Sequence, residues 1–326
     1  MRLSCPATRP ARVSTINFLI VTFFILLASS FFTPTASAQG ARRKSQYDSL
    51  DEQDRPDLRD QWMMHGRTAP KGQSAAQLHY RAYQQKMAMR AQRAAMAAKS
   101  GNGSGPQTGT PWVPLGPAPL TTYQNSWGDV TGRSTAIAID PSDATGGTVY
   151  IAGASGGVWK STNANNSVAT NVTWTPVTDQ QASLVNGAIS VKSDGTVVLV
   201  GTGEPNNAID SYYGQGILRS ADHGATWTLA TSSDSGAHPF AGIGFTKFAW
   251  SSSNTVVAAA ADAFKGDQEA LLNPNTANLG MYLSTDGGQT WKFQVLPNGV
   301  LADSSATDIT YNAKAGKFFA LSLIHI

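Results

Sequence analysis

Between Gly201 and Gln215 the chain gathers Glu204, Asn206, Asn207, Asp210, Tyr212 and Tyr213. Carboxylates and amides bond sugar hydroxyls, tyrosine rings stack on pyranose faces, and Asp or Glu can also ligate a hard cation. The same composition also suits a polar surface loop held down by its two tyrosines. Two further acids, Asp222 and Asp286, sit in copies of one pattern, S-x-D-x-G-x-T-W, carried by Ser220, Asp222, Gly224, Trp227 and by Ser284, Asp286, Gly288, Trp291. There the Asp accepts backbone N–H bonds within a turn, Gly tolerates positive φ, and Trp seals the turn against apolar packing. Turn formation accounts for both aspartates, so they are read as structural. Asp262, Lys265, Asp267 and Glu269 mix signs on one loop and are expected to pair with one another, at little energetic gain. The five histidines (His65, His79, His223, His238, His325) show no ligand spacing, and no Gly-rich helix start cradles phosphate. No metal and no cofactor is implied.

The elements that position these residues follow from an internal repeat. A first short strand recurs around Ile137, Ile189, Phe248 and Ile309, at spacings of 52, 59 and 61 residues. A second follows at Thr148–Ile151, Thr196–Val200, Thr255–Ala258 and Lys317–Ala320, and a third at Gly157–Ser161, Gly216–Ser220 and Gly280–Ser284. A fourth begins at Thr173, Thr226 and Thr290. Four short strands per period predict an all-β chain, a β-propeller of about three four-stranded blades plus a partial fourth over residues 111–320. In an up-and-down blade the loop joining second to third strands lies on the face opposite the S-x-D-x-G-x-T-W turns. The long loops at Gly201–Gln215 and Ala261–Leu279 therefore share one face, the natural place for function.

The repeated turn resembles the BNR or Asp-box repeat of sialidases, sortilin-type receptors and xyloglucan-cleaving glycosidases. A stretched copy runs from Ser161-Thr162-Asn163 to Thr173-Trp174. The segments Gly132–Pro141 and Gly201–Asn206 look most like large secreted bacterial propellers of the sortilin and xyloglucanase type. The resemblance implies the propeller fold strongly and an activity only weakly, since one fold hosts many functions. Sialidases of this kind grip a carboxylate with three arginines, whereas residues 111–326 contain only Arg133 and Arg219. The xyloglucan-cleaving relatives carry a catalytic Asp two residues before a Gly-Gly in the first blade. Gly156-Gly157 occupies that place, and the Asp position is Ala154. Glycoside hydrolysis needs two carboxylates about one bond, so this replacement argues against it.

Charged residues are 14% of the 326, with 31 Gly and 16 Pro, which disfavours a helical bundle. Formal charge is +3. Residues 39–110 hold twelve basic and six acidic residues, and residues 111–326 hold nine and fifteen, so the repeat region is no nucleic-acid binder. Three arginines, an apolar run Ile16–Phe32 and Ala36-Ser37-Ala38 read as a cleaved secretory signal over 1–38. The run is too short and interrupted for a membrane anchor. Cys5, the only cysteine, leaves with the signal, which excludes disulfides and thiol chemistry. Residues 39–72 are polar. Ser74 then caps a helix reaching Lys99, with Ala76, Tyr80, Tyr83, Met87, Ala91 and Ala94 as its weak apolar stripe. The helix is read as a solvated, propeptide-like element, with an anionic surface as its other partner class. Gly101–Pro106 reads as a linker. The sequons at Asn165 and Asn171 matter only in a glycosylating host. A propeller closes with four to eight blades, and Leu321–Ile326 equals the translation of a sequencing adapter, CTG-TCT-CTT-ATA-CAC-ATC. The chain is therefore expected to be a fragment. The expected function is an exported glycan- or protein-binding module; a glycoside hydrolase and an adhesion segment of a larger surface protein are the alternatives.

Overall fold

The computed structural model describes residues 69–70, 73–99, 120–121, 129–206, 211–251, 254–263, 278–295 and 304–322. The chain divides into two units, Met1–Arg67 and Thr68–Ile326, and every described residue belongs to the second. The signal segment, the polar stretch before residue 69 and the linker after Lys99 lie outside the described residues.

Helix α1 spans Ala75–Lys99. Ser74 caps it as expected, its hydroxyl accepting the Gln77 N–H at 3.3 Å. Only Ala76 of this helix is buried, so the anticipated apolar stripe is largely exposed. Strands β1 (Leu120–Thr121) and β2 (Asp129–Val130) form a small antiparallel pair. Three four-stranded antiparallel meanders then follow in chain order. The first is β3 (Ser134–Ile139), β4 (Val149–Gly153), β5 (Val158–Ser161) and β6 (Thr175–Pro176). The second is β7 (Asn186–Val191), β8 (Val198–Thr202), β9 (Ile217–Ser220) and β10 (Thr228–Ala230). A short hairpin of β11 (Ser232–Ser233) and β12 (His238–Pro239) leads to the third sheet. That sheet is β13 (Ile243–Trp250), β14 (Val256–Asp262), β15 (Gly280–Ser284) and β16 (Lys292–Gln294). Strands β17 (Ala306–Asn312) and β18 (Lys317–Ser322) pair as a half sheet. Strand β18 runs two residues into the adapter-like hexapeptide. Backbone pairing does not depend on side-chain origin, so this extension concerns strand length alone.

The fourth strands start later than the sequence indicates, at Thr175, Thr228 and Lys292. The physical reason lies in the turn: the N–H groups of Thr173, Thr226 and Thr290 bond to Asn163, Asp222 and Asp286 and are not available to the ladder.

Each sheet covers its neighbour. Tyr150, Ala152 and Val158 of the first sheet pack with Ile189, Val191, Val198, Val200 and Leu218 of the second. The other face of the second sheet, through Ala188, Val197, Leu199 and Ile217, meets Phe245, Phe248 and Tyr282 of the third. Ala249, Val257, Ala259 and Met281 then meet Ala306 and Ile309 of the half sheet. This two-sided burial explains why β8 and β14 read as continuous apolar runs instead of alternating ones. The first strands lie side by side, β3 against β7, β7 against β13 and β13 against β17.

One irregularity recurs in all four first strands: the register slips past Thr135, Gly187, Thr246 and Thr307. The Thr135 hydroxyl donates to the Asn186 carbonyl at 2.8 Å, and Thr246 donates to Ala306 O at 2.8 Å, joining each first strand to the next. In the second sheet glycine replaces threonine because the backbones come closer. A Cβ on Gly187 would sit 2.3 Å from Phe245 O and 2.5 Å from Gly203 O, with no flexible atom to yield. Gly187→Ala should therefore lose about 1–3 kcal/mol, whereas Gly156→Ala, with nothing within 4 Å, should stay within about 0.5 kcal/mol of wild type. Urea melts of the two variants read this directly.

Candidate functional site

The strand order places two sets of turns on opposite ends of the sheets. One end carries the first-to-second hairpins and the S-x-D-x-G-x-T-W turns. On it, Asp222 accepts the Thr226 N–H at 2.8 Å and hydroxyl at 2.5 Å, and the Ser220 hydroxyl at 2.7 Å. These bonds, Thr226 foremost, hold its pKa down at about 2. Asp286 repeats the pattern with Thr290, Ser284 and Gln289; burial pushes its pKa up, and those bonds outweigh it. In the hairpins, Asp143 is held low by Thr145 and Thr148, and Asp194 by Lys192 and Thr196. Each of these carboxylates is consumed by its own turn.

The turns also staple consecutive sheets. His223 and Gly287 hold equivalent positions with φ of 57° and 72°. The left-handed backbone turns each carbonyl toward the preceding sheet. Gly287 O accepts Arg219 Nε at 2.8 Å, while His223 O accepts Lys160 Nζ at 2.8 Å and the Tyr150 hydroxyl at 3.0 Å. Lys160 and Arg219 each stand immediately before the serine of their own turn. Gly224 lies against Tyr150, and a Cβ on Gly288 would reach 2.7 Å from the Leu199 methyl. Trp227 donates its indole N–H to Val177 O at 2.8 Å, and Trp291 is buried against Phe248.

The other end carries the loops from second to third strands and the connections between sheets. Glu204 projects from the end of β8 into the protein, its carboxylate 1% exposed against 43% for its partner Arg133, at 2.7 Å. Its second oxygen accepts Asn206 Nδ2 at 3.0 Å, and its N–H donates to Tyr212 O at 2.8 Å. Glu204 thus organises the loop around itself. Tyr212, half-buried, and Tyr213, buried, hold ring centroids 4.4 Å apart at 33°. Tyr213 packs with Ala76 of α1 and Ala263, and buried Gln215 donates Nε2 to Ala76 O at 2.9 Å. A groove of about 430 Å³ runs beside these rings, lined by His79, Tyr83, Lys86, Asp179 and Tyr212 among others. Partial desolvation beside the groove, followed by the Lys86 charge, pushes the imidazole pKa of His79 down, though the residue itself stays exposed to solvent.

The structure thus brings Glu204, Asn206, Tyr212 and Tyr213 together, while Asn207 and Asp210 lie outside the described residues. Among the candidates on the loop after β14, Asp262 is described, with its N–H bonded to the Ser305 hydroxyl at 3.1 Å; Lys265, Asp267 and Glu269 are not described. Sequence reasoning missed Arg133 as the counter-ion of Glu204 and Gln215 as the clamp on α1. These partners lie 71 and 139 residues apart, beyond any local pattern. Among the described residues no cluster of three or more His, Cys, Asp or Glu could hold a metal.

Two outcomes follow for the turn end. Arg219→Leu removes a charge-assisted bond to Gly287 O and should cost about 1–2 kcal/mol in a urea melt. Because the folded pKa of Asp222 is depressed, its stabilising contribution is complete above the unfolded value of about 3.9 and disappears as pH falls through about 2. Urea midpoints of the wild type should therefore decline between about pH 4 and pH 2, and Asp222→Asn should flatten part of that decline.

No protein-family model matches the sequence, and no curated protein matches it. Among solved structures, the chain matches a GH74 xyloglucanase from Xanthomonas campestris at 17% identity and a TM-score of 0.37, over 58% of this chain and 26% of that one. It also matches an ancestral GH74 enzyme at 17% identity and a TM-score of 0.35, over 66% of this chain and 29% of that one. This chain therefore spans between a quarter and a third of the length of each matched structure.

Proposed function

We propose that the three sheets and the half sheet are blades of a β-propeller of the Asp-box type, and that its loop end binds a polysaccharide outside the cytoplasm. The first strands side by side, both faces of the second and third sheets covered, and turns stapled to the preceding sheet support a radial arrangement. Further blades belong on the two outer faces: Ile137 and Ile139 at one end are 65% and 59% exposed, and Phe319 and Leu321 at the other are 53% and 64% exposed.

The observation that carries the ligand class is the sorting of polar groups between the two ends. Turn-end aspartates are saturated by their own hydroxyl and N–H partners. The loop end carries half-buried Tyr212, its ring against buried Tyr213, beside the Asn206 amide and the Arg133 guanidinium that Glu204 holds in place; a ring with polar donors beside it suits a pyranose face and its hydroxyls. Glu204 is already bonded to Arg133 and Asn206, so it acts as a support for the loop and not as a free acid or base. This favours binding over hydrolysis, which requires two carboxylates about 5–10 Å apart across the scissile bond. Export through the signal over residues 1–38 fits the same setting; no described helix is long and apolar enough to cross a membrane.

Affinity electrophoresis in soluble β-glucan, xyloglucan and mannan tests the reading. Wild type should be retarded by at least one of them, and Tyr212→Ala should weaken the interaction about three- to tenfold through lost stacking. Asp222→Asn should bind as wild type does. Retardation in none, or release of reducing ends from any, would overturn the binding assignment.

A further inference from the structure

We propose that α1 is a displaceable cover, which competes with the polysaccharide for the loop end; this rests on the glycan-binding reading above. The helix lies on the very groups assigned to the ligand. Ala76 is fully buried in the cluster with Tyr213 and Ala263, against which Tyr212 also packs. The Gln215 amide, which a sugar hydroxyl would otherwise meet, donates to Ala76 O. Farther along, the Tyr83 hydroxyl donates to Gln180 O at 3.1 Å, and the Arg90 guanidinium bonds the Gln180 side chain.

The attachment is thin for a helix of 25 residues. Among the described residues its one fully buried side chain is Ala76, with Ala75 packed partly buried beside it, and its bonds to Gln180 and Gln215 are ones that water replaces at small net loss. Space remains on both flanks: the groove by Tyr83 and Tyr212, and a second of about 370 Å³ lined by Gln77, Tyr80, Gln215 and Thr231. A permanent helix–sheet interface is close-packed with large side chains. This one is not. Helix α1 is also rich in Ala, Gln, Arg, Lys and Met, residues with high intrinsic helix propensity, so lifting it need not unfold it completely. A ligand that needs the uncovered face sees its apparent affinity reduced by the uncovered fraction, and loosening the helix removes that reduction.

The test uses the full chain and changes only the helix side. Ala76→Arg cannot fit the buried position, and Arg90→Ala removes the outer bond. Hydrogen exchange over residues 75–99 reports docking, thermal melting reports the sheets, and binding is measured on the polysaccharides of the electrophoresis panel. Ala76→Arg should lose protection in α1, keep the sheet melting and bind about fivefold or more tighter than wild type, with Arg90→Ala between. Equal binding by wild type and an Ala76→Arg protein that has lost protection overturns the cover while leaving the glycan reading standing. Unchanged protection in Ala76→Arg also overturns the cover, because the Ala76 contact would not be what holds the helix. Loss of protection with no binding by any of the three proteins overturns the glycan reading, and the cover falls with it.

Discussion

A β-sheet with apolar side chains on both faces cannot persist in water alone, and that constraint governs this chain. Val198 and Val200 point to one neighbour, and Leu199 between them points to the other. Alternation normally gives a sheet a dry face and a wet one. In the second and third sheets it gives two dry faces, each covered by a neighbouring sheet. The bulge repeated in every first strand and the carbonyls of His223 and Gly287 fix the spacing at which successive sheets meet. Hydrophobic burial drives the stacking; the polar staples set its register.

This economy of polar groups divides the molecule chemically. Aspartates at the turn end sit among their own hydroxyl and N–H donors, which lowers their pKa and leaves them engaged. Strands end at the opposite side in longer connections whose lengths vary from sheet to sheet. There the side chains answer to the loop itself: Glu204 holds Arg133 and Asn206, and two tyrosines share one contact. A scaffold of this kind leaves chemistry free to change at one end without disturbing the other.

The sheets were legible in the sequence because their signals are local. Ser220, Asp222, Gly224 and Trp227 fall within eight residues and make their turn bonds largely with one another. The strand periodicity is equally local, and it placed β3 to β5, β7 to β9 and β13 to β15 within a few residues. The starts of the fourth strands were not legible, since nothing in T-W marks whether the threonine N–H joins a ladder or an aspartate. The ligand-candidate loop was legible as composition only. Whether Glu204 faces solvent or Arg133 depends on a strand end 71 residues away. The docking of α1 left even less trace, because it rests on Ala76 and on bonds to Gln180 and Gln215, residues that resemble any other alanine and glutamine.

The claim on which this account turns is that ligand meets the loop end and leaves the S-x-D-x-G-x-T-W turns untouched. Hydrogen-exchange mass spectrometry of the protein with and without a saturating polysaccharide measures that directly. The account predicts new protection in peptides spanning 178–185 and 203–216, with those spanning 220–227 and 284–291 unchanged. Protection centred on the two S-x-D-x-G-x-T-W turns, with the loop peptides unaffected, would contradict it.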